Sequence, residues 1–224
     1  MAPPSNLADV VEFAENPEPR CPCVLLLDTS GSMQGAAIEA LNLGLRTFQE
    51  DIGRDPLASR RVEVAVVTFD SEIDVVQDFI TADRFEAPTV TAQGLTRMGS
   101  AINKSLDLLQ ARKAQYRSSG IAYYRPWVFM ITDGAPQGEP DDVVEQAARR
   151  IEEDEKNKRV AFFAVGVEKA DMTTLQTISH RAPVRLVGLN FVEMFVWLSA
   201  SMQKVSQSQV NDQVALPPAG WGTV

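Results

Sequence analysis

The chain has 224 residues, of which 45% are hydrophobic and 23% are charged, and its formal net charge is −9. This is enough apolar material for one large globular domain with a full core. The acidic balance argues against nonspecific nucleic-acid binding, which needs a basic face. No apolar run reaches the roughly 18 residues needed to span a bilayer. Residues 1–6 also lack the basic start and apolar core of a signal peptide, so we expect a cytoplasmic protein.

The two cysteines, Cys21 and Cys23, are separated by a single proline. Residues two apart on a strand share a face but are poorly placed for a mutual disulfide. Together with the one histidine, His180, they fall short of a zinc set unless another chain contributes ligands. We therefore expect two reduced thiols at the entrance of a strand and a reducing compartment. His180 is expected at a helix end rather than as a catalytic base.

The first half of the chain reads as strand, helix, strand and hairpin. Residues 1–19 are polar and proline-bearing, apart from Leu7–Phe13, which suits either a turn of helix or an edge strand. An apolar run at Cys21–Leu27 predicts a buried strand, and a helical pattern then extends to about Asp51. A second buried strand is predicted at Arg61–Phe69. The tight turn after it makes Ile73–Phe79 an antiparallel edge strand with a solvated tip that could bind a ligand only weakly, formed by Asp70, Glu72 and Asp74.

The second half alternates helices and strands. Helical periodicity or a helix cap is found at Met98–Tyr116, from Asp141 to Ile151, after Asp171, and at Phe191–Val205. Apolar strands are predicted at Trp127–Ile131, Val160–Val167 and Val184–Val187. Strands alternating with helices predict an α/β fold of Rossmann-like type, in which six mostly parallel strands with one antiparallel edge are covered by helices on both faces. We expect the domain to span residues 20–206. The polar tail 207–224 is expected to be disordered, with docking of Trp221 into a groove as the alternative.

Oxygen-bearing side chains cluster at the predicted carboxyl ends of the parallel strands. Open α/β sheets bind ligands at that edge. The candidate metal ligands are Asp28, Ser30, Ser32, Thr96 and Asp133. Carboxylate and hydroxyl oxygens suit a hard divalent cation, with Mg²⁺ expected and Mn²⁺ or Ca²⁺ as alternatives. Because only two of the donors are carboxylates, water or a carboxylate from a partner must complete the coordination shell.

These motifs resemble the von Willebrand factor A domain and its metal-ion-dependent adhesion site, the MIDAS, written D-x-S-x-S, T and D. The matching segments are DTSGS at 28–32, GLT at 94–96 followed by MGSAI at 98–102, and ITDG at 131–134. The resemblance runs from about Cys21 to about Val205, and it gives Asp28, Ser30, Ser32, Thr96 and Asp133 the roles of metal ligands. Within the family, the chain looks most like the short bacterial tellurium-resistance proteins of the TerY type, which are associated with stress response and phosphorylation signalling. Leu95 departs from the pattern, since a glycine is common before the threonine.

Simpler interpretations exist for each motif taken alone. Asp28 suits a turn cap, Thr96 a helix N-cap, and the Asp133–Gly134 pair an ordinary turn. The chain lacks the phosphate-binding motifs G-x-x-x-x-G-K and G-x-G-x-x-G. Asp28 also stands where the serine-hydrolase elbow G-x-S-x-G needs its first glycine.

We therefore expect a metal-dependent protein-interaction module without catalytic activity. Its partner is expected to be a protein that supplies an acidic side chain to the metal, with no role for nucleic acid or membrane. The alternatives are a metal-dependent hydrolase, which would need a base near the metal, and a scaffold that works without the metal.

Overall fold

The computed structural model describes residues 12–223 as a seven-stranded sheet flanked by helices. The strands are β1 Cys21–Asp28, β2 Val62–Phe69, β3 Ile73–Thr81, β4 Trp127–Thr132, β5 Ala161–Gly166, β6 Val184–Leu186 and β7 Gly222–Thr223. The helices are α1 Ala36–Ile52, α2 Ala58–Arg61, α3 Met98–Ser118, α4 Asp141–Lys156, α5 Met172–Ile178 and α6 Phe191–Ser206. A helical turn also covers residues 12–15, while most of the predicted Leu7–Phe13 element lies outside the described residues. Within the described range, no helix combines the length and apolar character required to span a membrane.

The strand order in the sheet is β3-β2-β1-β4-β5-β6-β7. The inner pairings from β2 to β6 are parallel, whereas β3 and β7 run antiparallel to their neighbours. The predicted α/β fold and its hairpin edge at β3 are confirmed. The expected strand count was one too low, because β7 comes from the tail and is too short to give a periodic signal.

The two faces of β1 are sealed by different helices. Every residue of β1 is buried, as expected for a central parallel strand. The odd-numbered residues from Cys21 to Leu27 join a cluster with α1 and α6. Val24 and Leu26 join a second cluster with α3, α4 and α5. Both cysteines are free thiols, and burial raises the pKa of Cys21 to about 12, which leaves it unreactive as a nucleophile.

The tail packs on the sheet instead of lying free, which corrects the expectation of disorder. Trp221 is 4% exposed, and its ring lies 5.5 Å from that of Trp197 on α6. The Trp197 indole Nε1 donates a hydrogen bond of 2.8 Å to the Pro217 carbonyl, and β7 pairs with β6. A tryptophan buries a large apolar area, and it anchors a segment whose other residues are mostly polar.

Candidate metal site

Asp28 and Asp133 meet because their strands are parallel neighbours that end together. β1 and β4 are in register up to Leu27 and Ile131. Asp28 is the last residue of β1, and Asp133 directly follows the last residue of β4. The carboxyl edge of the sheet therefore holds two acids from segments far apart in sequence.

A chain of hydrogen bonds links the first loop to the third. Asp28 Oδ1 accepts a 2.8 Å bond from the Ser30 backbone N–H. The hydroxyls of Ser30 and Ser32 lie 3.0 Å apart, and Ser32 Oγ donates to Asp133 Oδ1 at 2.6 Å. The structure thus brings four of the five predicted ligands into direct contact.

Thr96, the fifth, lies close to Gly134, as Ser32 does. A Cβ placed on Gly134 would be 3.6 Å from Thr96 Oγ1 and 3.9 Å from Ser32 Oγ. Both hydroxyls therefore lie within van der Waals contact distance of the same point beside Gly134. Thr96 is 4% exposed, and its carbonyl accepts bonds from the backbone N–H groups of Met98 and Gln137.

Two further residues, Thr132 and Glu139, support the site, and their roles are not predicted by the sequence. Thr132 Oγ1 donates to Asp28 Oδ2 and accepts a 3.2 Å bond from the Gly134 N–H. Glu139, in the third loop, accepts bonds at the start of α3 from the backbone N–H groups of Gly99 and Ser100. An acid on the first N–H groups of a helix is a common cap, but this one comes from 39 or 40 residues away and left no local signal.

Gly99 brings the second and third loops still closer. A Cβ at this position would lie 2.8 Å from Val144 Cα and 2.9 Å from Val144 N. The backbones of α3 and α4 therefore touch just behind the candidate site.

The electrostatics of the site favour a cation. Burial raises the pKa of Asp28 to about 6, against the opposing effect of its bonds with Ser30 and Thr132. Burial also raises the pKa of Asp133, and the charge of Asp133 adds to the rise at Asp28. Between residues 12 and 223, neither carboxylate forms an ion pair with a Lys, Arg or His. A bound divalent cation would compensate both charges.

The donor set fits a hard metal ion. Among residues 12–223, no group of three or more His, Cys, Asp or Glu is arranged to hold a metal. Two carboxylates with three hydroxyls match the oxygen chemistry that Mg²⁺ and Ca²⁺ prefer, and they do not match a nitrogen and sulfur site for structural zinc.

Other residues near the proposed ligands either contact the three loops of the site or are exposed to solvent. Ser71, at the hairpin tip, accepts a bond from the Leu95 N–H, and Asp70 Oδ1 caps its own turn by accepting from the Glu72 N–H. Leu95 is 46% exposed and packs against Gly138, so an apolar side chain stands at the rim of the site. His180 follows α5 and is exposed.

Solved structures with the same fold include two pilus proteins and a matrix protein of the mussel byssus. The pilus adhesin SpaC from Lactobacillus rhamnosus GG superimposes with a TM-score of 0.67 at 16% identity, covering 83% of this chain and 30% of that one. The vWF domain of the pilus tip protein Mfa5 from Porphyromonas gingivalis gives 0.63 at 10% identity, covering 88% and 99%. Proximal thread matrix protein 1 from the mussel byssus, with a zinc-occupied MIDAS motif, gives 0.52 at 14% identity, covering 83% and 48%.

These likenesses establish the fold. The chain spans about half the length of the mussel protein and less than a third of SpaC. No curated protein sequence matches the chain.

The family model of the von Willebrand factor type A domain matches residues 23–193. The matched segment begins inside β1 and ends inside α6, so it contains all three loops of the candidate site. The chain therefore belongs to the von Willebrand factor type A domain family.

Proposed function

We propose that this protein is a metal-dependent protein-interaction module. Its ligands are Asp28, Ser30, Ser32, Thr96 and Asp133. The observation that carries the proposal is the hydrogen-bond chain from Asp28 through Ser30 and Ser32 to Asp133, which joins two buried carboxylates lacking ion-pair partners among the described residues. The zinc-occupied MIDAS of the mussel protein gives a precedent for a divalent ion in this fold.

The proposed ligands have two different roles, according to whether they carry a charge. Asp28 and Asp133 supply negative charge, while the hydroxyls of Ser30, Ser32 and Thr96 orient the ion without neutralising it. Mg²⁺ held by few carboxylates keeps open positions for water or another oxygen ligand. A carboxylate from a partner protein fits that vacancy, and the exposed Leu95 offers it an apolar neighbour.

The wider role follows from the resemblance to TerY-type proteins. We propose a bacterial cytoplasmic setting in stress response, tellurium resistance or phosphorylation-linked signalling. Two buried free thiols suit such a reducing compartment. The module acts by binding rather than by catalysis. We propose residues 20–206 as its domain, with residues 1–19 before it and the tail 207–224 contributing β7 to the same sheet.

The first test measures Mg²⁺ binding directly by calorimetry. We expect the wild-type protein to bind Mg²⁺ and Asp28→Ala to lose that binding. Glu72→Gln, which removes an exposed acid at the nearby hairpin tip, is the matched control and retains it. Equal Mg²⁺ binding by wild type and Asp28→Ala would overturn the site assignment.

The second test asks what the site holds. The wild-type protein serves as bait in native extract with Mg²⁺ and with EDTA, and Asp28→Ala serves as bait with Mg²⁺. A partner lost with EDTA and with Asp28→Ala supports the metal-bridged interaction. A partner retained in all three favours the metal-independent scaffold.

A further inference from the structure

A second candidate site lies at the opposite end of the molecule from the metal ligands. A cavity of about 590 Å³ opens between the end of α3, the segment before β4 and the turn after α4. Its cationic lining residues are Lys113, Arg117, Arg125, Lys158 and Arg159. Within the described part of the chain, no Asp or Glu lines it. This concentration of positive charge stands out in a protein whose net charge is −9.

Two of these cations are already compensated. Arg125 donates to the Glu155 carboxylate at 2.5 Å. Arg159 pairs with Glu153 at 3.1 Å and more loosely with Asp154 at 3.6 Å. Their charges are therefore largely neutralised by ion pairs within the fold and contribute less to the potential in the cavity.

The other three cations have no such partner. Lys113, Arg117 and Lys158 form no ion pair with any acid in residues 12–223. Arg117 donates to the Tyr123 hydroxyl at 3.2 Å. Lys158 is exposed in the turn that closes the cavity.

Lys113 is the residue that most strongly indicates a ligand-binding site. It is 9% exposed, yet the one acceptor recorded for its ammonium among the described residues is the Arg159 carbonyl at 3.4 Å. An ammonium has three donors, so two are left for a ligand. Burial and the charges of Arg117 and Arg159 lower the pKa of Lys113, whereas Asp154 opposes them. Partly burying an ammonium that forms no ion pair within residues 12–223 is costly, and an anion in the cavity would lower that cost.

We propose that this cavity binds a phosphate group, with Lys113, Arg117 and Lys158 as its cationic ligands. Ammonium and guanidinium groups make charge-assisted hydrogen bonds to phosphate oxygens. A cavity of about 590 Å³ also leaves room for the molecule that carries the phosphate, whether a small phosphorylated compound or a phosphorylated side chain of another protein. The 21 residues of α3 span about 30 Å, which separates this site from Thr96 at the other end of the helix.

The experiment is a calorimetric titration in EDTA at constant ionic strength. The probes are inorganic phosphate and a blocked phosphoserine, N-acetyl-O-phosphoserine methylamide. We expect the double variant Lys113→Met with Arg117→Gln to lower the affinity for both probes at least about tenfold. Methionine keeps the apolar stem of the buried lysine, and thermal unfolding of the variant confirms that it folds. Lys158→Asn is a second variant on an exposed position, where asparagine tolerates the backbone φ of 55°, and we expect it to lower affinity several-fold.

Two control variants separate this site from the rest of the surface and from the metal site. Arg54→Gln removes an exposed arginine that lines no part of the cavity, and it should bind the probes as the wild type does. Asp28→Ala should also bind them unchanged, so that failure of the metal proposal leaves this one standing. Tighter binding of the phosphoserine would identify a phosphorylated protein as the source, and equal binding would identify a free phosphate compound. Absence of binding by the wild type, or full binding by the double variant, would overturn the proposal.

Discussion

Thr132 controls the orientation of Asp28 without being a proposed ligand. Its hydroxyl holds Asp28 Oδ2 and is itself held by the Gly134 N–H. Losing such an outer contact typically weakens metal affinity about 10- to 100-fold. We expect Thr132→Val to weaken Mg²⁺ binding by about tenfold or more, and Thr132→Ser to restore it, both measured by calorimetry. Wild-type affinity in the valine variant would mean that the Ser30 N–H alone positions the carboxylate.

Asp28 also makes the stability of the metal-free protein depend on pH. Its pKa rises from the ordinary 3.8 to about 6, so the folded state keeps a proton that the unfolded chain releases. The resulting stabilisation is complete below about pH 4 and is lost as the pH rises through about 6.

Near pH 7 in EDTA, Asp28→Asn should therefore be more stable than the wild type by ~1–3 kcal/mol. The difference should shrink as the pH falls towards 4, because the carboxyl becomes neutral like the amide. Urea unfolding at a series of pH values measures it. A wild type that is the more stable of the two at neutral pH would show that the hydrogen bonds from Ser30 and Thr132 outweigh the cost of burial.

The packing of the tail on the sheet depends on one side chain, that of Trp221. Truncating a buried Trp to Ala typically costs about 3–5 kcal/mol, and we expect that loss for Trp221→Ala. Within the described residues the Trp221 indole Nε1 is buried without an acceptor. Trp221→Phe should therefore lose no more than about 1 kcal/mol, since it keeps a ring against Trp197 and removes the unsatisfied donor. Urea unfolding followed by circular dichroism compares the two, and equal losses would mean that the indole size itself is required.

The long elements were predictable from the sequence, whereas strand β7 in the tail was not. The central strands have continuous apolar runs and the long helices have periodic apolar patterns, because they are buried in or against the sheet. β7 has two residues and no pattern, so only the pairing with β6 defines it. The roles of Glu139 and Thr132 were not predictable for a related reason, because their hydrogen-bond partners are distant in sequence.

A cation bound at the proposed site would join three loops that follow or precede separate elements of the fold. Because the unfolded chain cannot assemble this site, Mg²⁺ should stabilise the entire domain, by ~2.7 kcal/mol at a concentration 100-fold above the dissociation constant. Thermal unfolding of the wild type should show one transition, and its midpoint temperature should rise with increasing Mg²⁺. The midpoint of the Asp133→Ala variant should not change. An upward shift of the same size in Asp133→Ala would place the stabilising cation elsewhere.

The candidate ligands were predictable because the family motifs lie on short segments, but their surroundings were not. Four of the five residues lie in patterns at predicted strand ends, and Thr96 lies just before a predicted helix. The fold brings all five to one edge of the sheet. The basic cavity had no such pattern, since its unpaired cations come from α3 and from the turn before β5. Only the packing of the helices shows that Lys113 is buried and that, within residues 12–223, it forms no ion pair.

The close contact at Gly99 bears on the size of the ion that the proposed site would accept. α3 starts just after Thr96, and α4 follows the loop that carries Asp133. A methyl group at residue 99 would overlap Val144, so one of the two helices would have to shift. Such a shift would widen the gap between the second and third loops and favour an ion of larger radius. If the proposed site takes Mg²⁺, its selectivity against the larger Ca²⁺ would thus depend partly on Gly99, which has no side chain and is not among the proposed ligands.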